Sequence, residues 1–206
     1  MNPGEPLVLI ISGPSGSGKS TLAEKILALP GTMLSVSCTT RPPRKTETDG
    51  KWYNFVSESD FHEMVARGDF LEYAQVFGKH WYGTPRRWLD AALAQKKDLV
   101  LEIDVQGALQ VKHKLPGAVA IFVLPPSRAE LERRIRARGQ DSEEEIGRRL
   151  ERARQEMLNY SSYDFAVIND ELDRAGREVQ AIAIGSRCGV PRNEERIREI
   201  LKSFGG

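Results

Sequence analysis

Eight residues, Gly13-Pro14-Ser15-Gly16-Ser17-Gly18-Lys19-Ser20, constrain this chain more than any others. They fit the pattern G-x-x-x-x-G-K-[ST], and they stand between an apolar run, Leu7 to Ile11, and a stretch of helical spacing from Lys19 to Ala28. Glycine at positions 13, 16 and 18 opens backbone conformations closed to other residues, so successive N–H groups turn inward around phosphate oxygens. The N-terminus of the following helix adds partial positive charge. Lys19 supplies a flexible point charge for β- and γ-phosphates, and the Ser20 hydroxyl is a ligand for Mg²⁺. With Pro14, Ser15, Ser17 and Thr21 completing the loop, the segment is expected to bind a nucleoside triphosphate.

Apolar runs of five to seven residues alternate with longer amphipathic stretches along the rest of the chain, which predicts an α/β fold with a parallel sheet covered by helices. Strands are expected at Leu7 to Ser12, Met33 to Cys38, Leu99 to Asp104, Val119 to Leu124 and Phe165 to Ile168. Helices are expected at Lys19 to Ala28, Pro85 to Gln95, Ala108 to Leu115, Ser127 to Arg138 and Glu143 to Asn159. Arg41 to Phe77 breaks the rhythm with Pro42-Pro43, an Asp49-Gly50 turn signal and two aromatic runs, and reads as a small α/β insertion. Ser142-Glu143-Glu144-Glu145 is a capping-box signal that opens a helix with Ile146, Leu150, Ala153 and Met157 on one face. The Arg/Glu-rich tail from Ser186 carries a stripe of Ile197, Ile200 and Leu201, and is expected to dock on the body or on a partner subunit.

Composition narrows the function classes. The 206 residues carry 30 basic and 29 acidic side chains, a net charge of +1 that gives no global field for a polyanion, so nucleic acid is not an expected partner. The longest apolar run, Ala118 to Leu124, is far short of the roughly 18 to 20 residues needed to span a bilayer. The first residues hold no basic stretch leading into a long apolar one, as a secretory signal would, so a cytoplasmic location is expected. Cys38 and Cys188 stand in no metal or redox spacing, and His62, His80 and His113 lie apart from other ligands, so no protein metal cage is expected.

The loop leaves the phosphoryl acceptor open between water and a hydroxyl or phosphate. Glu102 and Asp104 lie near the C-terminal end of an apolar strand, the edge where open α/β sheets bind ligands, and either suits the water shell of a metal. Between Ser37 and Tyr53, Arg41, Arg44, Lys45 and Lys51 oppose only Glu47 and Asp49. Guanidinium forks bind phosphate bidentately and a tyrosine hydroxyl donates a further bond, so this patch suits a second anionic group.

Ser35-Val36-Ser37-Cys38-Thr39-Thr40-Arg41-Pro42-Pro43-Arg44, Gly50-Lys51-Trp52-Tyr53-Asn54-Phe55-Val56, Tyr82-Gly83-Thr84-Pro85 and Ile103-Asp104-Val105-Gln106-Gly107 closely resemble guanylate kinases, in the order that family uses them. The likeness continues through Pro125-Pro126-Ser127, Arg138-Gly139 and Val167-Ile168-Asn169-Asp170. It implies a P-loop core at 7–36, 91–126 and 157–185, a GMP-binding insertion at 37–90, a lid at 127–156 and a tail at 186–206. It also implies Mg²⁺-dependent phosphoryl transfer from ATP to GMP in purine nucleotide metabolism and GMP recycling, by a monomer or homo-oligomer.

Carried over residue by residue, the resemblance assigns Arg41, Arg44, Tyr53 and Tyr82 to the GMP phosphate and Ser37, Glu72 and Thr84 to the guanine. It assigns Glu102 and Asp104 to GMP or the metal shell, Asn169 to the neighbourhood of the ATP adenine, and Lys19, Arg134, Arg138 and Arg149 to the transferring phosphoryl group. Guanine offers adjacent N1–H and N2–H donors, which a carboxylate such as Glu72 accepts together, whereas adenine presents an acceptor at N1. Glu102 stands where many relatives carry Asp, Cys38 where serine is frequent, and the Gly78 to Tyr82 segment is one residue longer than the common form, leaving Trp81 or Tyr82 as the second aromatic. Tyr82, which directly precedes Gly83, is the expected one. A non-catalytic binding module is disfavoured by the intact Gly18-Lys19-Ser20, and a kinase for another monophosphate or an NTPase switch by Glu72 and Thr84.

Overall fold

The computed structural model describes residues 5–43, 47–76, 78–137 and 142–205. Arg44, Arg138 and Gly139, singled out above, lie outside them. The core is a five-stranded parallel sheet in the order β2-β7-β1-β8-β9, made of β2 (Thr32–Leu34), β7 (Asp98–Glu102), β1 (Val8–Ser12), β8 (Val119–Leu124) and β9 (Phe165–Ile168). Central β1 is buried along its whole length. Its side chains alternate between two apolar layers: Leu9 and Ile11 meet Leu22 and Ile26 of α1 (Lys19–Leu27) and Val179 of α7 (Leu172–Arg187), while Val8 and Ile10 join Ala92 of α3 (Arg87–Gln95) and Val111 of α4 (Val105–Lys114). Burial on both faces is why the strand reads as an unbroken apolar run. Register pairs Ile11 with both Glu102 and Ile121, so the C-terminal ends of β1, β7 and β8 finish at one edge.

A second, four-stranded sheet has the order β4-β3-β6-β5, from β3 (Ser37–Thr39), β4 (Tyr53–Phe55), β5 (Phe70–Val76) and β6 (His80–Pro85). It is covered by α2 (Glu58–Ala66), whose Phe61 packs with Cys38 and Phe70. The expected strand over Met33 to Cys38 is therefore two strands in different sheets. The Ser35 N–H still donates to the Val100 carbonyl at 2.9 Å, and the Val36 carbonyl accepts from Trp88 Nε1 at 2.9 Å, after which the chain leaves the core sheet. Hydropathy records that one piece is part-buried and the other buried, not which strands they pair with.

Helices α5 (Arg128–Arg136) and α6 (Glu143–Met157) enclose a small core of Leu131, Ile135, Ile146, Leu150 and Ala153. The capping box at Ser142 and Glu145 is formed, and Ser127 caps α5 by accepting from the Glu130 N–H. Helix α4 begins at Val105, three residues before the expected start at Ala108. No helix was expected over α7, whose buried face is Ala175, Gly176, Val179 and Ala183. Small residues give weak periodicity but allow close packing, and a Cβ on Gly176 would stand 3.2 Å from the Lys25 side chain. The tail forms α8 (Val190–Ser203), yet it buries no residue, and its stripe of Ile197, Ile200 and Leu201 is exposed.

One ionic clamp closes the core. The buried Asp98 accepts the Leu7 N–H at 2.7 Å through Oδ1 and Arg187 Nε at 2.6 Å through Oδ2, tying the start of β1 and the end of α7 to β7. Removing one side of such a part-buried pair leaves both a charge and an N–H without a partner. Asp98→Ala is expected to lower the unfolding free energy by about 3 kcal/mol. A urea midpoint equal to that of the parent protein would refute the clamp.

Candidate active site

The loop after β1 is held from behind. At Gly13, φ is 142° and an added Cβ would lie 2.3 Å from the Val123 carbonyl oxygen; at Gly18, φ is 95° and it would lie 2.2 Å from Asn169 Nδ2. No other residue fits either position without moving backbone or displacing Asn169. Asn169 Nδ2 donates to the Ser17 carbonyl at 2.8 Å. Arg134 donates to the same carbonyl at 3.3 Å through Nη1, to the Asn169 carbonyl at 2.7 Å through Nη2, and to Glu130 at 2.7 Å through Nε. Hydrogen bonds from Arg133 and then Arg134 hold the Glu130 carboxyl down at about 2. Arg149 reaches the loop from α6, donating to Ser15 Oγ at 2.8 Å. Lys19 lies over the loop, its ammonium donating to the carbonyls of Gly13 and Pro14 at 2.8 and 3.1 Å.

Ser20, at the first turn of α1, donates its hydroxyl to Glu102 at 2.7 Å. Asp104 does not extend the strand as expected; it caps α4, accepting the Gly107 N–H at 2.8 Å through Oδ1. Its Oδ2 is buried without a partner among the described residues, and Asp104 lines the same cleft as Ser20 and Glu102. Glu156 of α6 enters this cleft as well. Burial pushes its carboxyl above the usual range, opposed by Arg152, which donates to it at 2.9 Å.

The second sheet closes the other side of the cleft, whose volume is about 240 Å³. Glu72, buried on β5, accepts from Thr84 Oγ1 at 2.6 Å, and that hydroxyl is 3.3 Å from Ser37 Oγ. The cross-strand register Glu72–Thr84 makes this contact. Helix α4 passes so close that a Cβ on Gly107 would stand 2.4 Å from Glu72 Oε2. Nearby, Arg41 donates through Nε to the Tyr82 hydroxyl at 3.0 Å, and its guanidinium carbon is 5.6 Å from the centre of the Tyr53 ring. Burial drives the Tyr53 hydroxyl well above its ordinary range. Tyr82 faces the cleft, whereas Trp81 packs at 6.0 Å between ring centres on Phe61.

The geometry thus gathers one P-loop and one hydroxyl–carboxylate–guanidinium pocket on a single cleft. A family model described as guanylate kinase matches residues 5–184. The guanylate kinase of Alkalilimnicola ehrlichii is 46% identical over 198 residues, covering 96% of this chain and 97% of its own. That of Escherichia coli is 46% identical over 190 residues, covering 91% of each. The solved guanylate kinase structure from Anaplasma phagocytophilum superposes with a TM-score of 0.81 at 31% identity, covering 98% of this chain and 97% of its own.

The chain belongs to the guanylate kinase family.

Among the described residues, the candidate site of this guanylate kinase family member holds Gly13, Ser15, Gly16, Gly18, Lys19, Ser20, Thr21, Ser37, Arg41, Tyr53, Glu72, Tyr82, Glu102 and Asp104 on or in the cleft, with Thr84 directly behind Glu72. Pro14, Ser17, Arg134, Arg149 and Asn169 support the loop rather than line that cleft. Sequence reasoning missed Glu156, although its spacing of four from Arg152 on a helix is a readable signal. It also counted Glu47 only as a countercharge.

Burial, first, and then the charge of Asp104 raise the Glu72 carboxyl to about 7, against the hydrogen bond from Thr84 that lowers it. The folded protein therefore holds a proton there that the unfolded chain releases near 4.5. Stability falls as pH rises between those values, and above about pH 7 the ionised group costs the fold about 3 kcal/mol. Glu72→Gln is expected to raise the unfolding free energy by about 2 kcal/mol at pH 8 and to leave it nearly unchanged at pH 4.5. An equal effect at both pH values, in parallel denaturation curves, would contradict this titration.

Proposed function

We infer that the protein transfers the γ-phosphoryl group of ATP to GMP, giving ADP and GDP, as its family membership indicates and in keeping with purine nucleotide metabolism and GMP recycling. One observation carries the base assignment: the buried carboxylate of Glu72, braced by Thr84, opens on the cleft that also holds the P-loop. Ionised Glu72 accepts the N1–H and N2–H of guanine together; adenine, an acceptor at N1, meets a repulsive contact instead. Ser37 and Thr84 supply hydroxyls beside it. Arg41, Tyr53 and Tyr82 bind the GMP phosphate, and Arg44 is assigned there by sequence.

The ATP phosphates lie in the loop of Gly13 to Thr21, with the inward N–H groups and Lys19 on the β- and γ-phosphates. To reach them the Lys19 ammonium leaves the carbonyls of Gly13 and Pro14, an exchange of neutral acceptors for charged ones. Asn169 borders the adenine. The residues present suit Mg²⁺: the Ser20 hydroxyl, Glu102 and Oδ2 of Asp104, unpartnered among the described residues, are hard oxygen donors lining the cleft, and Ser20 would hold the ion with Asp104 holding its water shell. When bound, Mg²⁺ neutralises phosphate charge and orients the β- and γ-phosphoryl oxygens.

The chain's work is then alignment of the attacking GMP phosphate oxygen, exclusion of water and stabilisation of charge by Lys19, Arg134, Arg138 and Arg149. A GMP phosphate is already largely ionised near neutral pH, so no general base is needed. We assign residues 37–90 as the GMP-binding insertion and 127–156 as the lid on the core. The protein is assigned to the cytoplasm; Cys38 and Cys188 are both free thiols, as a reducing compartment permits.

An assay of ADP release with ATP and Mg²⁺, offering GMP, AMP, UMP and TMP in parallel beside an acceptor-free control, tests the reading. Turnover with GMP alone is expected; turnover with another monophosphate would discard the role of Glu72, and release without acceptor would make the protein an NTPase. Lys19→Ala is expected to abolish transfer while GMP still binds, and an equal loss of GMP affinity would contradict its placement on ATP. Because Glu72 must be ionised to accept both guanine donors, the Michaelis constant for GMP is expected to rise about tenfold from pH 8 to pH 6. In Glu72→Gln it should be high at both, and a parallel pH rise in that variant would assign the titration to another group.

A further inference from the structure

Arg41 is held on nearly all its donors before any substrate arrives. Its Nη1 and Nη2 donate to Glu47 Oε2 and Oε1, each at 2.9 Å, in a two-pronged ion pair. Nη1 also donates to the Pro42 carbonyl at 2.8 Å, and Nε donates to the Tyr82 hydroxyl at 3.0 Å. The planar group is flanked by the Tyr53 and Phe55 rings, each 5.6 Å from the guanidinium carbon. A guanidinium has five N–H donors, so a single one, on Nη2, remains to be directed elsewhere. Tyr82 spends its oxygen as an acceptor for Arg41, so its own hydrogen is turned away from the guanidinium.

Glu47 is delivered by an ordered turn. The Gly50 N–H donates to the Tyr53 carbonyl at 2.8 Å, Lys51 N–H to Thr48 at 3.3 Å, and Phe55 N–H to Asp49 Oδ1 at 2.9 Å, folding the segment back along β4. The Arg41 and Glu47 side chains are mostly buried, at 13% and 20% exposure, so the pair is far less screened than the lid's exposed arginine pairs.

We propose that Glu47 is a positioning residue of the GMP phosphate subsite: it fixes the guanidinium of Arg41, so that one Nη2 hydrogen and the Tyr82 hydroxyl hydrogen form a preset pair of phosphate donors. This rests on the assignment of Arg41 to that phosphate. A fixed fork forgoes part of its positive charge, because Glu47 neutralises it, and gains direction; binding energy then depends on geometry rather than on net charge. Glutamine at this position accepts one Arg41 N–H and presents an NH₂ to the other, so the fork is released while the fold of the turn is kept.

The experiment measures steady-state kinetics and the binding of GMP and of guanosine for the full chain, Glu47→Gln, Glu47→Asp, Arg41→Met and the double variant Glu47→Gln/Arg41→Met. Glu47→Gln is expected to raise the Michaelis constant for GMP about tenfold, with kcat and the constant for ATP within about twofold and guanosine binding unchanged. Glu47→Asp, which keeps both oxygens on a shorter stem, should fall between. In the double variant Glu47→Gln should add nothing to Arg41→Met, since it acts through that residue. If Arg41→Met weakens GMP but Glu47→Gln does not, or tightens it, the positioning role is overturned while the phosphate assignment stands. If Arg41→Met leaves GMP binding intact, the phosphate assignment fails and the proposal with it. Equal weakening of guanosine and GMP in Glu47→Gln would reduce Glu47 to a structural prop and also overturn it.

Discussion

The carbonyl of Ser17 is the point on which the rest of the site depends. It faces away from the phosphate side of the loop and accepts from Asn169 Nδ2 and Arg134 Nη1, so the turn after β9 and the helix α5 are both fastened to the loop through one acceptor. A buried carbonyl in a loop has no ladder to satisfy it, and side chains from elsewhere must do so. Leu131 and Ile135 of α5 add apolar contact, standing 3.0 and 3.3 Å from where a Cβ on Gly16 would be. Helix α5 therefore belongs mechanically with the loop. Helix α6 meets it through Arg149, which donates to Ser15 Oγ.

The cleft sets positive groups against negative ones across a short span. Lys19 and Arg41 supply the positive groups, and Glu72, Glu102, Asp104 and Glu156 the negative ones. Glu72 shows the cost of this arrangement: buried without a cation at hydrogen-bond distance among the described residues, its carboxyl rises to about 7. A fold selected for stability alone would place an apolar or amide side chain there. Its two carboxylate oxygens suit paired N–H donors, and a buried group with such acceptor capacity discriminates between ligands that fill it and ligands that do not.

Much of this was legible from residues. The P-loop signature located β1, the loop and α1 because its glycines and lysine obey backbone geometry that does not depend on the rest of the chain. Apolar runs found β8 and β9 within a residue; β8, buried on both faces, leaves no alternation to misread, and β9 at the sheet edge is apolar although largely exposed. The run from Met33 to Cys38 misled for the same reason: burial is continuous across Ser35 and Val36 while the chain passes from one sheet to another. Helix α7 was missed because its packing face is alanine and glycine, which carry little hydropathy signal. Glu72 and Thr84 were assigned by resemblance, and the structure joins them by a cross-strand contact that spacing in sequence does not encode. Glu47 and Glu156 went unread because a carboxylate in a charged segment looks the same whether it is solvated or aimed into a cleft.

Helix α4 joins the two sides of the cleft in one frame. Asp104 caps it from the cleft edge. One turn on, a Cβ on Gly107 would stand 2.4 Å from Glu72 Oε2; Gln110 Nε2 donates to the Tyr73 carbonyl at 2.8 Å, and Lys114 Nζ donates to the Leu71 carbonyl at 2.6 Å. Positions 107, 110 and 114 recur at helical spacing on one face, so a single core helix grips residues 71–73 of β5. Arg41 instead sits just past the end of β3, Tyr53 on β4 and Tyr82 on β6, strands that follow β5 in turn across the second sheet. Strand β5 is thereby held directly by α4, and β6, β3 and β4 are joined to that helix through it.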